Sequence, residues 1–495
     1  MAFIKKIFRI GVQGTWIFKT RKKVGRWLKN LILVDRALEF VDCILQNPEI
    51  CILVLVIDNE KQDIEKYKKH KQISSIYTVA ALDNLNSTRG LDFPFIRKCK
   101  GTQLRAENAM MRFETDYNDK KYRYYMGLAF WHTIFEENTI DTVLISGMTH
   151  GFNYDGVLLG VAEHYNASVY SSNILGIHRG TVFLFDHKRH QPIVLRNEKK
   201  IASISEYLIE GNHDVLNISF DNDENVEVSS RIKRLKNFLL KQVYRLFGYY
   251  GRATLLAIIQ GTLFSERQIC SSGFKMSLYD TLKCYYRILS TQRYLKKKAV
   301  KANLDEKFIY YPLHFEPEAT TQTKTTLESQ LVIIKMLSEC LPPGWKLYVK
   351  EHPHQYRLNN DLFYYYVING DLFKTKRYYE RICSLPNVVL VCSSYSGHEM
   401  VNKSQAVASI NGSVLLEAVQ METPILLFSE YHPFFHADSV LKCFSYDTCK
   451  KNMDKIYHGY HPDYSKILLL LNRYVSSGKK DLLNNVKAVI NGDIE

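Results

Sequence analysis

The chain of 495 residues has no C-x-x-C pair, no internal repeat and no low-complexity tract, and it carries neither a P-loop nor a G-x-G-x-x-G signature. Its ten cysteines are scattered. The closest two, Cys443 and Cys449, have no second cysteine pair, and no histidines follow them at a zinc-ligand spacing, which argues against a zinc site. Scattered thiols in so long a chain fit a reducing compartment better than a disulfide framework. Long apolar runs are missing too: the longest, Ile50 to Ile57, is far short of the ~20 residues that a spanning helix needs. The opening Met1-Ala-Phe-Ile-Lys-Lys-Ile-Phe-Arg-Ile is interrupted by Arg9, Lys19, Arg21, Lys22 and Lys23, and no small-residue cleavage site follows. The expectation is a protein that is neither secreted nor membrane-spanning.

What is there is ordinary globular material, 46% apolar and 24% charged, in a chain long enough for two to three domains. A net charge of +15 favours anionic partners: nucleic acid, anionic lipid or phosphate-bearing small substrates. The 33 tyrosines and 25 phenylalanines stack on sugars and bases alike and do not separate these partners. No nucleic-acid recognition motif accompanies the charge, and the basic residues gather in one middle segment, so nucleic acid is set aside.

Ile50 to Ile57 is β-branched and apolar throughout, as a strand buried on both faces reads. Thr142–Ser146, Ala167–Tyr170 and Thr181–Phe185 read likewise, with a helix over Gly156–Tyr165. Strand, helix, strand predicts a parallel α/β layer. A second series follows at Phe308–Tyr311, Lys346–Val349, Val388–Val391, Ala406–Ile410 and Pro424–Phe428, with helices at Leu327–Leu341 and Val414–Gln420. Between the two series, Arg231, Lys233, Arg234, Lys236, Lys241 and Arg245 interleave with apolar residues as in basic amphipathic helices. Such a segment suits either a solvated linker or an anionic membrane surface. The expected organisation is an α/β domain over residues 1–228, a basic helical linker over 229–302, and a second α/β domain over 303–495. Ligands would bind in a cleft at the carboxyl ends of the strands.

Three motifs carry chemistry. Tyr310-Tyr-Pro-Leu-His-Phe-Glu-Pro-Glu-Ala-Thr-Thr crowds His314, Glu316 and Glu318 just past a strand, more ionisable groups than a structural turn needs. Val349-Lys-Glu-His-Pro puts Lys350 and His352 on one side of an extended backbone, where they could contact phosphate oxygens. The alternative is a capped strand with a surface histidine. Ser409-Ile-Asn-Gly-Ser-Val-Leu-Leu-Glu-Ala is a strand, a turn at Asn411 and Gly412, and a helix. There Ser413 can cap the helix or bind phosphate, and Glu417 can reach a ribose or complete the cap.

In this order and spacing the three motifs resemble capsule polysaccharide biosynthesis proteins, and within them the Kdo-transferase-like glycosyltransferases. The resemblance is specific over Phe308 to Phe428, general over the first domain and absent from the basic segment. It implies a GT-B fold of two Rossmann-like domains, with the donor nucleotide on the second and the acceptor facing the first. It also implies catalysis without a metal or other cofactor, basic groups neutralising the leaving phosphate of a nucleotide-sugar co-substrate, CMP-linked in this group. Carried over, His352 faces the donor phosphate and Ser413 and Glu417 lie in the nucleotide pocket, with Lys350, Asn411, Gly412 and Glu316 beside them. His314 and Glu318 are catalytic candidates. From the first domain Asp155 is the leading base or nucleophile and His150 the second, against the plain reading of Asp155 as a helix N-cap. Glu163 and His164 read as structural, and His178-Arg179 as a weaker anion contact. The implied partners are a nucleotide-sugar donor, a glycan or glycolipid acceptor, other capsule-assembly proteins and the anionic inner face of the cytoplasmic membrane, on which a cytoplasmic protein would be peripheral. A teichoic-acid-type transferase of CDP-linked polyol phosphate, and a non-catalytic polysaccharide assembly factor, are the two other classes.

Overall fold

The structure is a computed structural model. It describes residues 29–35, 38, 40–57, 65–83, 85–111, 116–146, 155–174, 182–195, 266–268, 275–322, 325–353, 355, 373–392, 395–476 and 479–493. The chain divides into two compact units. The first comprises Met1–Ala106, Lys121–Ser146 and Phe152–Ser171, and the second Glu107–Lys120, Gly147–Gly151 and Ser172–Glu495.

In the first unit β1 (Lys29–Val34), β2 (Ile50–Ile57), β3 (Ile73–Thr78), β4 (Thr142–Ile145) and β5 (Ser168–Ile174) pair in the order β3-β2-β1-β4-β5, every pair parallel. The apolar run of β2 is buried at all positions but one, as its composition requires. Four helices matter below: α1 (Phe93–Lys98), α2 (Lys100–Met110), α3 (Tyr117–Glu137) and α4 (Gly156–His164). Asp155 caps α4 by accepting the Gly156 N–H at 2.6 Å.

Two glycines let α4 lie close to α2. A Cβ at Gly160 would stand 2.3 Å from Thr102 Oγ1 and 2.8 Å from Thr102 Cβ, and one at Gly156 3.3 Å from Ala106 Cα. Thr102 cannot swing away, because the near atoms include the base of its side chain and its hydroxyl donates to the Cys99 carbonyl at 3.0 Å. Gly160→Ala is therefore expected to cost about 1–3 kcal/mol in urea unfolding by overpacking. At Gly101 of α2 a Cβ meets nothing within 4 Å, so Gly101→Ala should gain about 0.5–1 kcal/mol from helix propensity.

The second unit repeats the pattern. β10 (Phe308–Pro312), β11 (Lys346–Lys350), β12 (Val388–Val391), β13 (Ala406–Ser409), β14 (Ile425–Leu427) and β15 (Leu441–Lys442) form a parallel sheet in the order β12-β11-β10-β13-β14-β15. Upstream, β6 (Val182–Asp186) pairs antiparallel with β7 (Gln191–Pro192) and with β16 (Val475–Ser476), and β8 (Glu266–Gln268) with β9 (Lys275–Ser277). Alternation along β10 sends Tyr310 into one core layer and Tyr311 into the other. On the Tyr311 side pack α5 (Leu278–Lys298), α6 (Gln330–Cys340) and α7 (Lys376–Ser384), and on the Tyr310 side α8 (Gly397–Lys403) and α9 (Val414–Gln420). Two Rossmann-like parallel sheets are thus present, as the strand pattern predicts. Of the basic segment, α5 is described and ends in exposed Lys296, Lys297 and Lys298. The Arg231 to Arg245 stretch lies outside the described residues, as do His150, His178 and Arg179. Among the described residues no helix is long and apolar enough to cross a membrane.

Candidate functional site

In the second sheet the chain leaves β10 for β11 and β12 on one side, then returns for β13 to β15 on the other. Such a reversal opens a crevice beyond the carboxyl ends of the two strands where it occurs, here β10 and β13. Two of the three motifs meet there. His314, just past β10, lies with Nε2 3.2 Å from Ser409 Oγ at the end of β13, and the same nitrogen accepts the Ile410 N–H at 3.3 Å. Ser409 Oγ in turn accepts the Gly412 N–H at 3.2 Å. A ring nitrogen that accepts a backbone N–H carries no proton, so this bond assigns the neutral Nδ1–H tautomer. Burial, helped by the nearby Lys374 charge, lowers the His314 pKa to about 3. His314 thus acts in the structure as a neutral acceptor that fixes the β13 turn, whereas the sequence casts it as catalytic. Gly412 suits the close approach: a Cβ there would sit 3.0 Å from Ser409 Oγ and 3.5 Å from His314 Cε1.

Glu316 is also turned inward. Its carboxylate accepts from Thr321 Oγ1 at 2.9 Å, Gln322 Nε2 at 3.0 Å and Gln330 Nε2 at 2.7 Å. Its backbone exchanges two bonds with the Gln355 side chain, at 2.7 and 2.6 Å. Burial pushes its pKa up to about 7, against the pull of Lys374 and the three donors. The donor contact expected of Glu316 becomes, in this geometry, the pin that shapes the loop after β10. Glu318 is half-buried and opens the helical turn Ala319–Gln322, its carbonyl accepting the Gln322 N–H at 3.0 Å.

The β11 exit joins the third motif electrostatically. Burial lowers the Lys350 pKa and the Glu417 carboxylate opposes that shift; burial raises the Glu417 pKa and Lys350 opposes that one. Lys350 Nζ donates to the Tyr395 carbonyl. Glu417 Oε2 lies 3.9 Å from where a Gly397 Cβ would stand, so Glu417 faces the first turn of α8. His352 is half-exposed, edge-on to Phe315 at 5.8 Å. At the start of α9, Asn411, Gly412 and Ser413 are half-exposed, and Ser413 makes no capping bond. Ser329, Thr375 and Ser396 do cap their helices, so the Ser413 hydroxyl stands apart from them in not being committed to its own helix.

Sequence reasoning missed what holds these exits together. Lys374, 0% exposed, donates to the His314 carbonyl at 2.5 Å and to Glu351 Oε1 at 2.7 Å. Tyr379 OH donates to the other Glu351 oxygen. Lys374 lies 60 residues beyond His314 in a stretch without a motif, so no local pattern marks it. In the first unit Asp155 is buried and its carboxylate accepts the Gly156 N–H at the start of α4. Among the described residues no group of three or more His, Cys, Asp or Glu is arranged to hold a metal ion.

No family model matches the chain, and no curated protein matches it either. Among solved structures it is similar to UDP-GlcNAc 2-epimerase from Methanocaldococcus jannaschii, at 11% identity and a TM-score of 0.23, over 94% of this chain and 99% of that one. It is also similar to KpsC, a beta Kdo 2,7 transferase from Thermosulfurimonas dismutans, at 11% identity and 0.29, over 73% and 89%. A glycosyl transferase family 9 protein from Veillonella parvula follows at 10% and 0.21, over 94% and 98%. At such scores the functional reading rests on the residues of this chain.

Proposed function

We propose that the protein is a GT-B glycosyltransferase of bacterial surface polysaccharide synthesis that moves a sugar from a nucleotide-activated donor, CMP-linked by preference, to a glycan or glycolipid acceptor. The observation that carries this reading is the convergence at the β10–β13 crossover. The exits of β11 and β13 supply Lys350 and His352, a turn with a hydroxyl at Ser413 that makes no capping bond, and the half-buried carboxylate of Glu417. A nucleoside phosphate asks for these groups: positive charge and hydroxyl donors for the phosphate, a carboxylate for ribose hydroxyls. Charge that develops on the leaving phosphate as the glycosidic bond breaks would be stabilised by Lys350 and His352. In this reading His314, Ser409, Glu316 and Lys374 position the loops, Glu318 is kept as a catalytic candidate, and Asp155 or His150 takes the proton of the acceptor hydroxyl.

Titration calorimetry of CMP, CDP, UDP and GDP against the metal-free 495-residue chain tests the donor site. One nucleotide is expected to bind in the micromolar range, and His352→Ala to weaken it about tenfold to a hundredfold, the worth of one charge-assisted contact. A preference for CDP would turn the reading towards polyol phosphate transfer. A folded protein that binds none of the four is not a transferase of this kind.

A further inference from the structure

Phe93 and Leu104 are 81% and 65% exposed on the first unit. They sit on α1 and α2, which run on through Cys99: the Cys99 N–H bonds to the Phe95 carbonyl at 3.1 Å, and the Gln103 N–H to that of Cys99 at 3.0 Å. Along this near-continuous helix Phe93, Arg97, Lys100 and Leu104 recur at steps of four, three and four, which puts them on one stripe. The opposite stripe, Phe95, Cys99, Gln103 and Ala106, is buried. The outward face is therefore unusual in composition, with the exposed cations Arg97, Lys98 and Lys100 between two large exposed apolar side chains, Phe93 at one end and Leu104 at the other. Residues 93–104 contain no carboxylate; exposed Asp92, just before Phe93, accepts the Phe95 N–H as the cap of α1. Lys100 Nζ donates to Tyr125 OH at 3.2 Å, which brings α3 alongside, and exposed Tyr122 stands one turn before Tyr125.

A solvated helix face mixes charges of both signs and hides its phenylalanines. Cations set between two exposed apolar ends complement a different surface, the headgroup and upper acyl region of an anionic bilayer. We propose that the α1–α2 face docks on anionic lipid, Phe93 and Leu104 entering the acyl boundary while Arg97, Lys98 and Lys100 meet lipid phosphates. This surface is separate from the basic segment 229–302 and does not depend on the glycosyltransferase reading.

Co-sedimentation of the full chain with vesicles of phosphatidylcholine, alone or in equal parts with phosphatidylglycerol, tests it. The protein should partition onto the anionic vesicles. The triple charge reversal Arg97→Glu, Lys98→Glu, Lys100→Glu should lower that partitioning about a hundredfold or more, roughly fivefold or more per cation. Phe93→Ser with Leu104→Ser should keep the low-salt attraction but lose the binding that survives high salt. All five side chains are on the surface, and circular dichroism checks that the variants fold. Equal partitioning of both variants and the parent, or no partitioning by the parent, overturns the proposal. So does a dimer in light scattering that the double serine variant dissolves, since the face would then belong to a second copy.

Discussion

Lys374→Met should destabilise the second unit by about 3–5 kcal/mol, because it removes one partner of a buried ion pair and leaves the other behind. The ammonium has no solvent contact, and its acceptors include the Glu351 carboxylate and the His314 carbonyl. Methionine fills the space of the lysine stem, so the loss is electrostatic and not a cavity. Glu351 would then keep its Tyr379 hydroxyl donor without its cation. Its side chain is 16% exposed, and partial hydration holds the cost to the lower part of that range. Adding Glu351→Gln should return much of the stability, since a neutral amide accepts the Tyr379 hydroxyl bond without needing a counter-charge. Urea unfolding of the parent, both single variants and the double variant closes this cycle. A single-variant loss below about 1 kcal/mol would mean that the strand exits are held without the lysine. Because Lys374 grips the carbonyl of His314, nucleotide affinity should fall in parallel with stability.

The strand exits themselves were legible. β2, β10, β11, β12 and β13 coincide with short apolar or aromatic runs, and each of the three motifs begins towards the end of such a run. What the sequence concealed falls into two physical kinds. β3, Ile-Ser-Ser-Ile-Tyr-Thr, is an edge strand with a half-buried middle, so its composition is as polar as a loop. β1 begins at Lys29 directly after a basic stretch, and only its last four residues are apolar and buried. The second kind concerns direction. Ionisable residues crowded past β10 read as reactive, yet burial and neutral amide partners turn Glu316 inward, and a backbone N–H claims the His314 nitrogen. Residue type fixes what a side chain can do, while only the chain folding back over 95 positions decides whether His314 meets Ser409 or solvent. Ser409 lay inside a recognised motif but carried no role, because a serine ending a buried strand looks like any other.

Acid should unfold the second unit through two histidines that the fold keeps neutral. Burial lowers the pKa of His314 and of His432 from 6.5 to about 3 each. Between those values the unfolded chain binds a proton at each site and the folded chain does not, so stability rises with pH and is lost as pH falls. Each histidine contributes a slope of about 1.4 kcal/mol per pH unit in that window. Glu316 runs the other way, its pKa raised from 4.5 to about 7, so the folded state holds the extra proton and its contribution is lost as pH rises between those values. Below pH 4.5 the two histidines act unopposed; from there to 6.5 Glu316 offsets one of them. His432→Asn isolates one contribution cleanly. The imidazole caps a short helical turn by accepting the Phe434 N–H at Nδ1, 3.1 Å away, and an asparagine oxygen can take the same bond without titrating. The difference in unfolding free energy between parent and variant, followed by urea titration from pH 7 to pH 4, should change by about 1.4 kcal/mol per unit below pH 6.5 and be flat above it. A difference that stays constant across the range would show that His432 titrates alike in both states. Glu316→Gln supplies the converse: without the opposing Glu316 slope its stability should gain on the parent by about 1.4 kcal/mol per unit between pH 4.5 and 7, since the buried carboxylate of the parent becomes charged at a cost there.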